Sequence, residues 1–316
     1  MKKLLLLLLM PIAVLSTSAQ INDYNMVIVL KDGTKITLGA NDVESLTFNG
    51  DALSISGNTI AEMKAEIEEL KDIIYKLHPD AFTRTITVKG VSFKMVKVAG
   101  GTFQMGATEE QGSDAYNNEY PVHSVTLSDY WIAETEVTQE LWTAVMGSNP
   151  SYYTGNSQFP VEQVGFNDCL TFITKLNELT GMNFRLPTEA EWEFAARGGN
   201  CSKGYKYAGS NTINDVAWYR DNSSNKPHPV GTKAPNELGL YDMSGNIEEW
   251  CQDWFGLYSS ESQTNPTGPT ETSEPYPCRV ERGGHFHTGD NFCRVSFRAA
   301  LLTSDVYNNV GFRLAQ

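Results

Sequence analysis

Two histidines and a cysteine near the carboxyl end are residue types that can bind a transition metal. His285 and His287 are separated by one residue, so they point to the same side if the segment is a strand, and Cys293 follows closely. Imidazole and thiolate suit copper, zinc or iron, so the three predict a candidate metal site. The simpler interpretation is a pair of loop histidines beside a buried or disulfide-bonded cysteine. A nucleophile based on Cys293 would need a base, and the sequence assigns none.

A set of oxygen ligands lies in the segment DMSGNIEE, residues 242–249. Calcium prefers hard oxygen ligands, and the carboxylates of Asp242 and Glu249 are of that kind. The alternative interpretation is a helix start that is capped by Asp242 or Ser244.

The elements that would hold these residues are short. Thr188 and Glu191 have the spacing of a capping box, and Gly198 follows shortly, so a helix is predicted between them with Trp192 on its buried face. Few other runs are periodic, and the chain contains 26 Gly and 13 Pro. This composition is typical of a loop-rich fold.

Four segments stand out, in this order: RLPTEAEWEFAARGG at 185–199, GLYDMSGNIEEW at 239–250, RGG at 282–284 and GFRL at 311–314. In order and spacing they closely resemble the formylglycine-generating enzyme family, also called the sulfatase-modifying factor domain. The resemblance covers residues 92–316. It implies an α+β, C-type-lectin-like, loop-rich fold.

Active members of that family oxidise a substrate cysteine to formylglycine with two cysteines, five positions apart, that hold copper. The cysteines here are at 169, 201, 251, 278 and 293, and no two of them have that spacing. Counting forward from Gly284, Thr288 matches the first family cysteine and Cys293 the second. Counting back from Arg298, Cys293 does not match. Either way the first thiolate is missing, and linear copper(I) coordination needs two soft ligands.

The resemblance therefore predicts a scaffold without its usual chemistry, with Cys293 as the catalytic residue if the protein is active. The alternative is a metal-dependent oxidase of the same type that acts on sulfatase cysteines with altered ligands. The resemblance also implies a calcium site, which would be formed by Asp242, Gly245, Ile247 and Glu249.

Related lectin-like domains are ligand-binding modules, among them the variable receptors of diversity-generating retroelements. In those receptors the binding residues lie between the RGG and GFR segments. The corresponding residues here are His285, Phe286, His287, Asp290, Asn291, Phe292, Ser304, Asp305, Tyr307, Asn308 and Asn309. Aromatic and small polar residues on loops suit recognition of a protein or glycan, although an ordinary solvated loop is the simpler interpretation.

The amino terminus predicts secretion. Lys2 and Lys3 precede an apolar run at 4–15, and small residues at 17–19 suit cleavage, so residues 1–19 are predicted to be a signal peptide. No later run is apolar enough to insert into a membrane. The net charge of −14 argues against nucleic acid and anionic lipid as partners. Five cysteines in an oxidising compartment allow two disulfides, and Cys251–Cys293 is one predicted pair.

Three segments precede the main domain. Residues 20–57 alternate like a small β module with an Asp32-Gly33 turn. Residues 58–79 predict a coiled-coil helix, whose heptad positions would join copies of the chain through residues 59–78. An amphipathic helix lying on its own domain is the alternative. Residues 80–91 are predicted to be a linker, and the positions that carry the heptad are Ile60, Met63, Ile67, Leu70, Ile74 and Leu77.

Overall fold

The computed structural model describes residues 82–316 and four short strands before them. These strands are β1 (Met26–Val29), β2 (Lys35–Leu38), β3 (Ser45–Asn49) and β4 (Ala52–Ser56). They belong to the first of two compact units, Met1–Leu77, in which β1 pairs antiparallel with β2 and β3 with β4. Both pairs lie where the alternating pattern predicts a β module. The predicted signal peptide, residues 1–19, and the predicted coiled-coil helix, residues 58–79, lie outside the described residues.

The second unit, His78–Gln316, begins with an antiparallel sheet in the order β5-β6-β9. Its strands are β5 (Thr83–Val88), β6 (Val91–Val98) and β9 (Tyr130–Ala133). The predicted linker at 80–91 is therefore wrong from Thr83 onward. Ile86 and Val88 are buried in the core, and Lys89 and Gly90 form the tight turn between the strands with positive φ.

Two further sheets complete the unit. One has the order β11-β8-β7, with β7 (Gly101–Met105), β8 (His123–Leu127) and β11 (Gln263–Thr264). The other has the order β13-β12-β10-β14. In it, β10 (Glu248–Trp254), β12 (Cys278–Arg282) and β13 (Arg298–Leu302) are antiparallel neighbours, and β14 (Val310–Gly311) runs parallel to β10.

The α-helices within residues 82–316 are α1 (Gln139–Met146), α2 (Phe166–Thr180), α3 (Glu189–Ala196) and α4 (Ile213–Val216). Short 3-10 helices span Glu109–Asp114, Asn117–Glu119, Gly199–Cys201 and Asp290–Phe292. The capping box that begins α3 is confirmed, because the Thr188 side chain accepts from the Glu191 backbone N–H. Within the part of the chain that the structure describes, no helix is long and apolar enough to cross a membrane.

Buried arginines connect the irregular segments to the regular elements. Arg282 and Arg298 bind carboxylates of α3, at Glu193 and Glu189, each with an N···O distance of 2.6 Å. Arg313 binds Glu249 on β10, and Arg294 binds Glu119. All four guanidinium groups are buried. A loop-rich chain thus acquires fixed internal contacts, because each buried charge has an opposite charge in hydrogen-bonding geometry.

Candidate functional site

Cys293 lies beneath the loop that follows β12, and it is fully buried. Its Sγ is 3.9 Å from the hydroxyl oxygen of Thr288 and 3.8 Å from the carbonyl oxygen of Gly289. The contact with Thr288 agrees with the forward count from Gly284, which puts Thr288 at the position of the first family cysteine. Burial raises the pKa of the Cys293 thiol to about 12. The position therefore holds a hydroxyl and a neutral thiol at neutral pH.

The two histidines lie in a turn after β12, so the strand on which they would share a face is not present. The His287 backbone N–H donates to Nδ1 of His285 at 3.2 Å, and Nε2 of His285 is 4.0 Å from Glu248 Oε2. Since Nδ1 accepts, the ring proton of neutral His285 is on Nε2. Burial lowers the pKa of His285 to about 4, so the ring is neutral at pH 7. His287 is exposed, and its Nε2 is 3.2 Å from the carbonyl oxygen of Asn225.

The predicted metal trio is not brought together. Within residues 82–316, no group of three or more His, Cys, Asp or Glu side chains is placed to hold a metal ion. His285 faces Glu248, His287 faces Asn225, and Cys293 contacts Thr288 and Gly289. The three side chains of the trio thus have separate partners.

The predicted disulfide between Cys251 and Cys293 is wrong, because both thiols are free. Cys251 packs in a large hydrophobic cluster with Trp192 and Val280, whereas Cys293 packs in a separate small cluster around Tyr219. The two side chains thus pack among different residues. Cys169 and Cys278 are free as well.

The segment 242–249 contains turns and the start of β10, so the alternative of a helix start is wrong. Both carboxylate oxygens of Glu249 are already bound: Arg313 donates to them at 2.6 and 2.7 Å, and Trp192 Nε1 donates at 2.8 Å. Asp242 Oδ2 accepts from the Gly231 backbone N–H, and its other oxygen is buried without a partner. Glu249 would have to leave Arg313 to bind a cation. The predicted ligands Asp242, Gly245, Ile247 and Glu249 therefore do not fit a calcium ion in this arrangement.

The predicted binding residues divide into exposed and buried ones. Phe286 is 0 % exposed, and its ring packs edge-on against Tyr153 with the centroids 5.4 Å apart. The prediction that Phe286 contacts a ligand is therefore wrong, because the turn after β12 directs its ring inward. The exposed or half-buried residues define what we name the C-terminal loop face: His285, His287, Asp290, Asn291, Phe292, Ser304, Asp305, Tyr307, Asn308 and Asn309.

Two tyrosines that the sequence analysis did not select lie close to this face. Tyr116 accepts a hydrogen bond from Asn291 at 2.9 Å, and its ring stacks on Phe292. Tyr152 is 67 % exposed, and its ring packs against Tyr153, whose hydroxyl donates to Asn225. The consecutive tyrosines in the polar segment SYYTG were the available signal, since exposed aromatic residues are enriched at recognition surfaces.

Two carboxylates beneath the C-terminal loop face were also missed. Glu248 on β10 is 8 % exposed and Glu281 on β12 is 3 % exposed. Burial raises the pKa of Glu248 to about 7. Burial, and then the charges of Glu248 and Asp305, raise the pKa of Glu281 well above its ordinary value. Adjacent charges in the sequence, such as Glu248 and Glu249, do not reveal which of them has a partner in the fold.

Comparison with known proteins gives consistent matches. The family described as the sulfatase-modifying factor enzyme 1-like domain matches residues 87–316. The chain is 31 % identical to the chaperone protein LppX of Paenibacillus barcinonensis, over 72 % of this chain and 90 % of that protein. It is 30 % identical to the formylglycine-generating enzyme of Streptomyces coelicolor, over 70 % of this chain and 88 % of that one.

Solved structures match the same part of the chain. Treponema denticola variable protein 1 superposes with a TM-score of 0.67 and 34 % identity, covering 74 % of this chain and 98 % of that one. PvdO from Pseudomonas aeruginosa superposes with a TM-score of 0.61 and 25 % identity, covering 73 % and 98 %. The predicted α+β, lectin-like fold of formylglycine-generating enzymes is confirmed.

Proposed function

The chain belongs to the sulfatase-modifying factor enzyme 1-like family, and we propose that it is a secreted member that binds a protein or glycan instead of generating formylglycine. The observation that carries this proposal is the contact of Thr288 with Cys293. A hydroxyl is a hard donor, and a thiol with a pKa of about 12 is protonated at neutral pH. Two soft thiolates for copper(I) are therefore missing from this position.

Neither histidine replaces the missing thiolate in this arrangement. The proton-bearing Nε2 of His285 faces Glu248, and Nδ1 already accepts from the His287 backbone. The His287 ring reaches across to Asn225 on another loop. An oxidase with altered ligands would need both rings to turn toward Cys293, which breaks these contacts.

The C-terminal loop face has the features of a recognition surface. His287, Asp290 and Tyr307 are exposed on loops whose ends are fixed by β12, β13 and β14. Arg294 holds the first loop from below through its ion pair with Glu119. Aromatic and small polar side chains on such a fixed support bind protein or glycan surfaces with little loss of backbone entropy.

Export and oligomerisation belong to the same proposal. The predicted signal peptide at 1–19 would deliver the protein to the periplasm or the exterior, and the heptad positions at 59–78 would join several copies. Joined copies bind a multivalent ligand more tightly than a single domain does. Calcium stays a prediction that this geometry does not favour, because Arg313 binds Glu249.

The catalytic part is tested with a Cys-x-Pro-x-Arg peptide, copper and oxygen, and mass spectrometry follows conversion of the cysteine to the aldehyde. We expect no conversion by this protein. The formylglycine-generating enzyme of Streptomyces coelicolor serves as the active control. Conversion by this protein would reject the non-catalytic proposal and favour the oxidase with altered ligands.

The binding part is tested by screening the protein on a glycan array and against a displayed peptide library. The matched variants are a triple loop variant, His287→Ala with Asp290→Ala and Tyr307→Ala, and Leu257→Ala, whose side chain is 77 % exposed outside the loop face. We expect a ligand whose binding weakens at least tenfold in the triple variant and is unchanged in Leu257→Ala. Equal binding by all three proteins would contradict the assignment of the loop face.

A second candidate is a variable receptor of a diversity-generating retroelement. The similarity to a Treponema denticola protein named variable protein 1 favours it. The test is the flanking DNA: an adenine-rich near-copy of the segment for residues 285–309 beside a reverse transcriptase gene is the expected finding. A locus without both elements would reject this candidate and leave an invariant binding domain.

A further inference from the structure

We propose that Glu248 and Glu281 form an acidic subsite that receives the guanidinium or ammonium group of a protein ligand. The inference rests on the proposed binding function and narrows it, since it selects a protein with an exposed basic side chain over a neutral glycan. Arginine is the better fit of the two basic residues, because a planar guanidinium can donate to two carboxylates at once.

The strand register places the two carboxylates on one face of the sheet. Trp250 pairs with Glu281 and Glu249 pairs with Arg282, so Glu248 and Glu281 are diagonal neighbours across β10 and β12. Diagonal neighbours have Cα atoms on the order of 7–8 Å apart and are within reach of long side chains. A group between them can contact both carboxylates.

On the opposite face of the same two strands, the acid and the arginine that pair across the register both have partners of opposite charge. Glu249 is bound by Arg313, and Arg282 is bound by Glu193 and Glu189. Glu248 and Glu281 have no arginine or lysine partner among the described residues. At these register positions, Glu249 and Arg282 on one side have partners of opposite charge, whereas Glu248 and Glu281 on the other side have none among the described residues.

Glu281 provides a separate indication that a ligand group is missing. Its side chain is more than nine-tenths buried, and Oε1 has no hydrogen-bond donor. A buried acceptor without a donor costs free energy, and a buried carboxylate without a cation costs more. A cationic N–H group from a ligand would supply both the donor and the positive charge.

The subsite lies between the two loops that form the binding face. Glu248 and His285 have side chains that are 11 % and 14 % exposed, and the His285 Nε2 is 4.0 Å from Glu248, beyond hydrogen-bonding distance. The Glu248 backbone N–H donates to the carbonyl oxygen of Asn309 in the second loop. Asp305 from that loop places a third carboxyl group near Glu281. A ligand held by His287 and Tyr307 can thus extend a basic side chain toward the acids.

The experiment uses the full-length chain and two small probes of nearly equal shape, n-propylguanidinium chloride and neutral n-propylurea. Proton NMR follows the His285 imidazole resonances, identified as those missing from His285→Asn. We expect a saturable shift with n-propylguanidinium at millimolar concentration and no saturable shift with n-propylurea. Absence of the guanidinium shift, or an equal response to both probes, overturns the proposal.

Two variants and one control locate the binding. Glu248→Gln and Glu281→Gln keep the side-chain shape and should each weaken n-propylguanidinium binding at least fivefold. Asp129→Asn, an exposed carboxylate that pairs with Lys97 outside the loop face, should leave it unchanged. Thermal melting confirms that each variant is folded. Undiminished binding in both glutamine variants overturns the proposal as well.

The result of the n-propylguanidinium experiment can be separated from the result of the screen for a natural ligand. A peptide ligand recovered on the loop face, together with no n-propylguanidinium binding, rejects the subsite and leaves the binding function standing. Guanidinium binding together with a failed screen rejects the binding function and leaves a cation subsite. If both succeed, replacing the ligand's arginine by citrulline should weaken its binding at least tenfold.

Discussion

Helix α3 with its surrounding loops and the sheet face beneath the C-terminal loops bury carboxylates in opposite ways. Around α3, burial alone would raise the pKa of Glu189, but the charges of Arg298 and Arg282 lower it. Beneath the loops, Glu281 is buried without such a partner, and its pKa is raised. Buried glutamates therefore stabilise the fold around α3, whereas beneath the C-terminal loops their burial costs free energy. Paired charges fix a fold, whereas unpaired buried charges are typical of sites that bind something.

The largest effect on stability is expected when a buried ion pair is broken. Arg313→Leu leaves Glu249 charged in the core, because the guanidinium that binds both its oxygens is removed. We expect a loss of about 3–5 kcal/mol in the free energy of unfolding, measured with urea. Lys206→Met removes an exposed pair with Asp114 and serves as the control, with an expected loss of at most about 1 kcal/mol. Similar losses in the two variants would mean that the buried pairs do not fix the fold.

Phe286→Ala separates packing from recognition at the loop face. The ring is fully buried and packs against Tyr153, so its removal leaves a cavity. We expect a loss of about 3 kcal/mol in the free energy of unfolding, measured with urea. A change below about 0.5 kcal/mol would show that the side chain is not packed, and Phe286 would return to the set of binding residues.

Acids with raised pKa values make stability depend on pH. Burial, followed by the charge of Glu189, raises the pKa of Asp253 to about 8, and burial raises that of Glu162 to about 7. Between their ordinary and raised values, the folded state holds more protons than the unfolded state. The contribution of these acids to stability is therefore greatest at low pH within this window and falls as pH rises from about 5 to about 8. His285, whose pKa is lowered to about 4, acts in the opposite direction up to about pH 6.5.

The measurement is thermal melting across pH 5–8, and Asp253→Asn should flatten the upper part of the profile. Between pH 5 and 8 we expect a loss on the order of 1–3 kcal/mol. Paired acids such as Glu189 have lowered pKa values, so their contribution to stability is lost only as pH falls below the ordinary glutamate pKa. They therefore do not change the profile between pH 5 and 8. A melting temperature that rises throughout pH 5–8 would contradict the assignment of unpaired buried acids.

The smallest effect on stability is expected at the exposed surface. Tyr307 is 49 % exposed, so Tyr307→Ala should change the free energy of unfolding by less than about 0.5 kcal/mol. Its effect should fall on ligand binding instead. A large loss of stability would place Tyr307 with the packing residues.

The motif segments predicted the fold because local signals and the family resemblance agree there. The capping box of Thr188 and Glu191 begins α3 where it was expected. Residues 80–91 were assigned to a linker, although β5 pairs with the next strand, β6, through the turn at Lys89 and Gly90. Alternation over only a few residues is a weak strand signal, and the pairing with β6 is what makes this segment a strand.

The site was less predictable than the fold. Glu248 and Glu249 are adjacent, but successive residues of a strand point to opposite faces, so one has Arg313 and the other faces His285. The sequence shows two equivalent acids. Phe286 was misassigned for a related reason, because only the turn after β12 determines whether its ring points outward.

The ion pair between Arg294 and Glu119 has a consequence for engineering. It anchors the middle of the segment between β12 and β13 through buried atoms, with Arg294 donating also to the carbonyl oxygen of Asn291. The backbone path of this loop is thus held from below through Arg294, whereas His287 and Asp290 are exposed. Those outward positions can be randomised in a library while the anchor is kept, which makes the domain a scaffold for selecting new binders.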